Sequence, residues 1–222
     1  MKLLKKYFNF LILIIFVVSV SECVSKKKRG GEEEVVASEK TPKRVYISSQ
    51  HLLESSFKLA NLIFASDFRP TFLIALWRGG APIGMVVEEY FSYKKSLINK
   101  HVTVRTSAYD NGKLKNNVEI FDLDYVIRTI KNEDKLLIVD DIIDSGSTVK
   151  AILEEIKKRC GSNTPNDIKV ATVYYKPKKS LIIPDYYLYE TDYWIVFPHS
   201  VEGMTIPEID EVKGSCIAQL LK

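Results

Sequence analysis

Cysteine is scarce in this chain. Cys23, Cys160 and Cys216 are scattered through 222 residues, with no C-x-x-C pair and no metal-ligand spacing. That excludes a disulfide scaffold, and such sparse usage suits a reducing compartment. Histidine is equally rare. His51, His101 and His199 have no partner legible in the sequence, so no chemistry is expected of them. A basic face is missing as well. The net charge of +4 misleads, because residues 1–44 hold ten Lys/Arg against five Glu, and the rest hold 22 basic against 23 acidic residues, a net of −1. A near-neutral body lacks the cationic surface that neutralises phosphate backbones, which speaks against a nucleic-acid partner. What remains, 46% apolar and 27% charged, is ordinary for one globular domain with extensions.

The N-terminal apolar run, Tyr7 to Val20, follows Lys2, Lys5 and Lys6. Ser19 and Ser21 stand at the −3 and −1 positions of a cleavage before Glu22, the layout of a secretory signal peptide. An uncleaved signal anchor is the alternative, although the run is short for a full span. Basic residues lie on both flanks, Lys26 to Arg29 on the second, so charge does not fix an orientation. Residues 1–21 are therefore read as signal peptide or anchor, 22–44 as a solvated charged linker, and 45–222 as the folded domain.

That domain is organised around Leu136 to Thr148. Leu136-Leu137-Ile138-Val139 is a short apolar run that reads as a strand buried on both faces, as in a parallel sheet. Asp140 and Asp141 follow at its C-terminal end, where open α/β sheets place their ligands. After Ile142, Ile143 and Asp144 comes a small-residue loop, Ser145-Gly146-Ser147-Thr148, opening a helical pattern over about Val149 to Arg159. Backbone N–H groups, hydroxyls and a helix N-terminus together make an anion cradle suited to a phosphate. A ligand with a phosphate at one end and hydroxyls or a metal beside it would meet cradle and carboxylates at once. In isolation, the same residues read as an exposed Asp-Asp turn followed by a Ser/Thr helix cap, and Asp144 as part of that cap.

A second strand–loop–helix unit lies upstream. Phe72 to Trp77 reads as a buried strand, Arg78-Gly79-Gly80 as its loop, and Pro82 stands near the start of the next helix. Two glycines let the backbone approach a ligand closely, and Arg78 adds a forked donor suited to phosphate, although Arg-Gly-Gly alone is a common turn. Before this unit, Ser48 or Ser49 caps a helix with apolar positions Leu52, Leu53, Phe57, Ala60, Ile63 and Phe64. Val102 and Val104 alternate with polar residues, as in a strand, and Ser107 to Asn117 reads as a polar hairpin tip. Ile168 to Tyr175 is another strand, ending at Lys176-Pro177-Lys178. Tyr186 to Tyr189 and Trp194 to Phe197 are short aromatic strands, and Pro207 onward is a closing helix with Ile217, Leu220 and Leu221. By themselves, Lys176 reads as a solvated lysine and Trp194 as core.

Taken together, these motifs resemble the type I phosphoribosyltransferases, and their 6-oxopurine branch in particular, over roughly residues 45 to 200. The resemblance implies an α/β fold: a mainly parallel twisted sheet with helices on both faces, plus a small C-terminal hood at about 176–200. It implies that Arg78, Gly79, Asp140, Asp141, Asp144, Ser145, Gly146, Ser147 and Thr148 bind phosphoribosyl pyrophosphate, with the loop on the 5′-phosphate and the acid pair on the ribose hydroxyls. It further implies that Asp140 and Asp141 help hold Mg²⁺, that Asp144 is the catalytic acid/base, and that Ser107 and Tyr109 belong to a lid. The family's usual Ser-Ser-Tyr stands here as Ser107-Ala108-Tyr109. Lys176, Trp194 and Ile195 match the purine contacts: donor to O6, stacking aromatic, and backbone at the exocyclic edge. The family often has a strained peptide bond before its basic loop residue, here Trp77–Arg78. The implied activity is purine salvage, in which the 5-phosphoribosyl group passes to hypoxanthine, guanine or xanthine and pyrophosphate is released. Alternatives are a non-catalytic sensor of phosphoribosyl pyrophosphate and a transferase for another base. A homo-oligomer is implied too, and a sugar donor found in the cytosol implies a cytoplasmic catalytic domain. The N-terminal run is then a membrane tether through residues 7–20, a delivery signal or a mis-assigned start, and the sequence leaves these three open.

Overall fold

The structure, a computed structural model, describes residues 43–110 and 113–222, with side chains described outside 108–117; the signal or anchor segment and all but the end of the linker lie outside these. In chain order the elements are β1 (Arg44–Tyr46), α1 (Ser49–Ala65), β2 (Phe72–Trp77), α2 (Gly80–Tyr93), β3 (Lys100–Asp110), β4 (Lys113–Phe121), α3 (Asp124–Thr129), β5 (Lys135–Ile143), α4 (Ser147–Cys160), β6 (Asp167–Tyr175), β7 (Tyr186–Glu190), β8 (Trp194–Val196), α5 (Ile206–Lys213) and α6 (Ser215–Leu220). Six strands form one sheet in the order β4-β3-β2-β5-β6-β7. All its pairings are parallel except β3 with β4.

The continuous apolar runs of β2 and β5 are explained by helices covering both faces. Leu73, Leu137 and Val139 face the α1–α2 side with Leu59, Ile63, Ile83, Val87 and Phe91. Phe72, Ile74, Leu76, Leu136 and Ile138 face the α3–α4 side with Val126, Ile130, Ile152 and Ile156. Successive strand residues thus alternate between two cores, and Phe72 to Leu76 and Leu136 to Val139 are all buried. Trp77, read as the end of the buried run, is instead 51% exposed at the sheet edge where the loop begins. This is the expected architecture.

Three details differ from the sequence reading. In α1 the buried stripe runs through Leu52, Ser55, Ser56, Leu59, Ala60 and Ile63, whereas Leu53 and Phe57 point to solvent. Ser56 fits the close helix–sheet contact by returning its hydroxyl to the Leu52 carbonyl (2.7 Å). The C-terminal helix is two helices broken at Gly214 (φ 94°); Ile209 and Ala218 are buried, and Ile217, Leu220 and Leu221 are exposed. The hood draws on both ends of the domain. β8 pairs in parallel with β1, giving a separate two-stranded sheet, while β7 joins the main sheet beside β6. Among the described residues, no helix is long and apolar enough to cross a membrane.

The N-terminal ends of β2, β3 and β5 are tied by Asp134. Its carboxylate accepts from the Thr71 hydroxyl, the Lys100 ammonium and the Lys131 N–H, each at 2.9 Å. Burial opposes its charge, but those hydrogen bonds and the Lys100 charge outweigh burial and hold the carboxyl below its usual range. A lowered carboxyl contributes stability above its unfolded value that is lost as pH falls through the folded one. Asp134→Ala is expected to lose about 2–3 kcal/mol at pH 7. The difference from wild type in melts run from pH 7 to 3 should shrink toward the acid end.

Candidate active site

The parallel register brings the expected residues together. Ile143 pairs with Tyr175 at the ends of β5 and β6, so the residues just beyond, Asp144 and Lys176, emerge side by side. The Lys176 N–H donates to the Ile143 carbonyl (3.0 Å), and its ammonium donates to Asp144 Oδ2 (2.8 Å). Lys176 is 3% exposed, a buried cation requiring a partner, whereas the Asp144 side chain is 41% exposed and open to a ligand. Lys179 stands 3.9 Å from the other Asp144 oxygen. Lys176 is therefore buried rather than solvated. Its ammonium also lies 5.8 Å from the ring of Trp194, which is 55% exposed and offers a face for stacking. Ile195 pairs with Val45 of β1, which fixes the hood strand at that level.

The small-residue loop follows at once. Gly146 adopts φ 72° as the residue before α4, so Ser147 and Thr148 open the helix with their N–H groups free of helical partners. The Ser145 and Ser147 hydroxyls lie 2.8 Å apart, and the Ser145 carbonyl accepts from the Leu181 N–H (2.8 Å). The Ser147 N–H turns back onto the Ser145 hydroxyl at 3.3 Å, so the helix dipole, the two hydroxyls and the first-turn N–H groups meet at the C-terminal edge of the sheet, an arrangement that can receive an anion.

The acid pair lies within the last residues of β5, and its two members face different surroundings. Asp140 Oδ1 accepts from the Asp141 N–H (3.0 Å), and Asp141 Oδ1 accepts from the Ile142 N–H (2.8 Å). Burial, then the neighbouring Asp141 charge, push the Asp140 carboxyl well above its usual range. Asp141 is tucked under the upstream loop. A Cβ on Gly79 would meet its carboxylate at 2.0–2.5 Å, and one on Gly80 would meet the Val139 carbonyl oxygen at 2.3 Å. The glycines thus let the loop sit directly on β5, a role the sequence reading had given to ligand approach. Arg78 projects outward and is largely exposed, and the Trp77–Arg78 peptide is cis.

Ser107 and Tyr109 lie on β3, in the β3–β4 arm, where Ser107 pairs with Glu119 and Tyr109 with Leu114 in the backbone ladder. The Tyr109 side chain lies outside the described residues. One neighbour was missed by sequence reading: His199 Nε2 approaches Asp141 Oδ2 at 3.7 Å. No local signal marks it, because the two residues meet only through the fold. Among the described residues, no group of three His, Cys, Asp or Glu side chains is arranged to hold a metal. Two carboxylates are the donor set on hand, which fits a hard cation that completes its shell with substrate oxygens and water.

A phosphoribosyl transferase domain model matches residues 44–203. The xanthine-guanine phosphoribosyltransferase of Idiomarina loihiensis is 28% identical over 130 residues, 57% of this chain and 68% of that protein. In fold, the chain is similar to a purine phosphoribosyltransferase from Pyrococcus horikoshii, with a TM-score of 0.56 at 24% identity over 73% of this chain and 97% of that one. It is also similar to the xanthine-guanine-hypoxanthine phosphoribosyltransferase of Helicobacter pylori, with a TM-score of 0.56 at 20% identity over 73% and 95%.

Proposed function

Because the chain belongs to the phosphoribosyl transferase domain family, we propose that it is a purine salvage enzyme. It transfers the 5-phosphoribosyl group from phosphoribosyl pyrophosphate to N9 of a 6-oxopurine (hypoxanthine, guanine or xanthine) and releases pyrophosphate. The observation that carries this reading is the Asp144–Lys176 pair beside the open face of Trp194, one residue from the phosphate cradle. The 28% identity to a xanthine-guanine enzyme supports the same base class.

The cradle of Ser145 to Thr148 holds the 5′-phosphate and so fixes the sugar, placing C1′ opposite the base. Asp140 and Asp141 orient the ribose hydroxyls. Arg78 and the Gly79 N–H receive the diphosphate as negative charge develops on the leaving oxygen. Asp144 takes the proton from the imidazole edge of the purine as its nitrogen bonds to C1′. Lys176 donates to O6, which a 6-amino group cannot accept. Mg²⁺, held by Asp140 or Asp141 and by substrate oxygens, would supply charge neutralisation at the diphosphate. The catalytic domain works in the cytosol, where its sugar donor is made, with residues 7–20 as a tether.

Two outcomes follow. Lys176→Gln presents both a donor and an acceptor, so the KM for 6-oxopurines should rise about tenfold and the discrimination against adenine should narrow. Steady-state kinetics with both bases measures this, and unchanged discrimination would remove Lys176 from the base site. Asp140 binds its proton more tightly folded than unfolded, so its ionised form destabilises the ligand-free protein as pH rises through the folded value. Asp140→Asn should raise the ligand-free melting temperature by about 2–4 °C. It should also weaken phosphoribosyl pyrophosphate at least tenfold, as read by calorimetry.

A further inference from the structure

The C-terminal helical pair, α5 and α6, lies beyond residues 44–203, the span that the family domain model matches. None of the motifs in the sequence gives it a role, yet it grips the hood at two points. Its start is set locally. The Thr205 hydroxyl accepts the Glu208 N–H, and Glu208 Oε2 in return accepts the Thr205 N–H at 2.7 Å. The other Glu208 oxygen lies 3.5 Å from the guanidinium of Arg44 in β1, which also donates to the Gly203 carbonyl at 3.4 Å. The far end of α5 carries the second grip. The Lys213 ammonium donates to the Phe197 and Pro198 carbonyls, at 3.0 and 3.1 Å, directly after β8. Burial pushes the Lys213 pKa below the usual lysine range, and among the described residues no carboxylate pairs with it. Its partners are the two backbone carbonyls. Those carbonyls belong to residues that bear on the purine contacts. Phe197 is buried, and its ring packs edge-on against Tyr174 (centroids 5.9 Å), two residues before Lys176. Earlier in β8, the Trp194 N–H donates to the Lys43 carbonyl and the Val196 carbonyl accepts from the Ile47 N–H, both at 3.0 Å. The hood strand is therefore pinned by β1 along its length and by Lys213 at its exit.

We propose that the C-terminal helical pair is a brace for the purine hood, and that Lys213 is its positioning residue. By fixing the Phe197–Pro198 backbone, Lys213 sets the distance between the Trp194 ring and the Lys176 ammonium, 5.8 Å in the structure. The proposal rests on the functional reading above and adds to base recognition a residue outside the matched domain. Lys213 acts only through β8. Without its two hydrogen bonds the exit of β8 loosens, and the stacking ring and the O6 donor are no longer held at one spacing. The acid pair and the small-residue loop stand on β5 and at the start of α4, so binding of the sugar donor does not depend on the brace.

The test is steady-state kinetics on the full chain with Mg²⁺. Hypoxanthine, guanine or xanthine is varied at saturating phosphoribosyl pyrophosphate, and then the sugar donor at saturating base. Rates are read well below each variant's melting temperature, so a loss of stability does not enter them. Lys213→Met keeps an unbranched apolar stem and loses the donor. Its KM for the base should rise about five- to tenfold, and its KM for phosphoribosyl pyrophosphate should stay within about twofold of wild type. A general loosening of the fold would not produce that split. Lys213→Arg keeps a charged, forked donor, and its base KM should remain within about threefold of wild type. If Lys213→Met leaves the base KM unchanged, raises both KM values alike, or matches Lys213→Arg, the proposal is overturned and the functional reading stands. If wild type turns over none of the three bases, the functional reading itself fails, and the brace with it.

Discussion

Asp144→Asn should lower kcat for nucleotide formation by about 10²- to 10⁴-fold, the loss expected when a positioned proton acceptor is removed. The side chain stands just beyond β5, half open to solvent, and accepts from Lys176 at 2.8 Å. Asparagine matches its size and still accepts that hydrogen bond through its carbonyl oxygen, but it cannot take a proton from the purine. Its neutral amide also leaves the buried Lys176 without a counter-charge, so stability should fall by about 1–2 kcal/mol. The two effects separate cleanly in experiment. Rates measured well below the melting temperature report the chemistry, and the melt reports the pair. A kcat within threefold of wild type would leave Asp144 only the role of counter-charge to Lys176.

The second large effect concerns the loop between β2 and α2. A Cβ on Gly80 would stand 2.3 Å from the Val139 carbonyl oxygen and 3.1 Å from the Asp140 Cα, both backbone atoms of β5. A strand paired on both edges cannot move aside, so Gly80→Ala must lift the loop off the sheet. That should cost about 1–3 kcal/mol in a thermal or denaturant melt. It should also raise the KM for phosphoribosyl pyrophosphate by about 100-fold, because the Arg78-Gly79 loop would leave its seat on the Asp141 carboxylate. Gly79→Ala provides the contrast. The atoms nearest its Cβ would be those of the Asp141 carboxylate, at 2.0–2.5 Å, a side chain rather than strand backbone. It should therefore keep most of its stability and lose substrate affinity. Equal melting temperatures for Gly80→Ala and wild type would contradict the packing argument.

The two strand–loop–helix units were legible in the sequence because their signals are local. An apolar run short enough for a strand, ended by acids or by Gly-Gly and followed by a helix start, admits few other folds. Register carried that legibility further, since strand ends that pair in parallel must bring Asp144 and Lys176 together. What could not be read depends on contacts far apart in sequence. The approach of His199 to Asp141, the hold of Glu202 on Arg78 and the pairing of β1 with β8 link residues that share no local pattern. The outward turn of Leu53 and Phe57 was also hidden, because Ser55 and Ser56 look polar in sequence yet occupy the close-packed stripe. The closing helix misled for a related reason. Its apolar residues are real, but Gly214 breaks the axis and rotates Leu220 and Leu221 outward.

The central claim is chemical, and one experiment meets it most directly. The purified domain with Mg²⁺ and phosphoribosyl pyrophosphate is offered hypoxanthine, guanine, xanthine, adenine and uracil separately, and nucleotide and pyrophosphate are followed together. The account predicts stoichiometric nucleotide and pyrophosphate with at least one 6-oxopurine, none with adenine or uracil, and loss of turnover in Asp144→Asn. Turnover with adenine or uracil alone would contradict the assignment of Lys176 and Trp194. Binding of phosphoribosyl pyrophosphate without turnover on any base would contradict the claim that this site is catalytic.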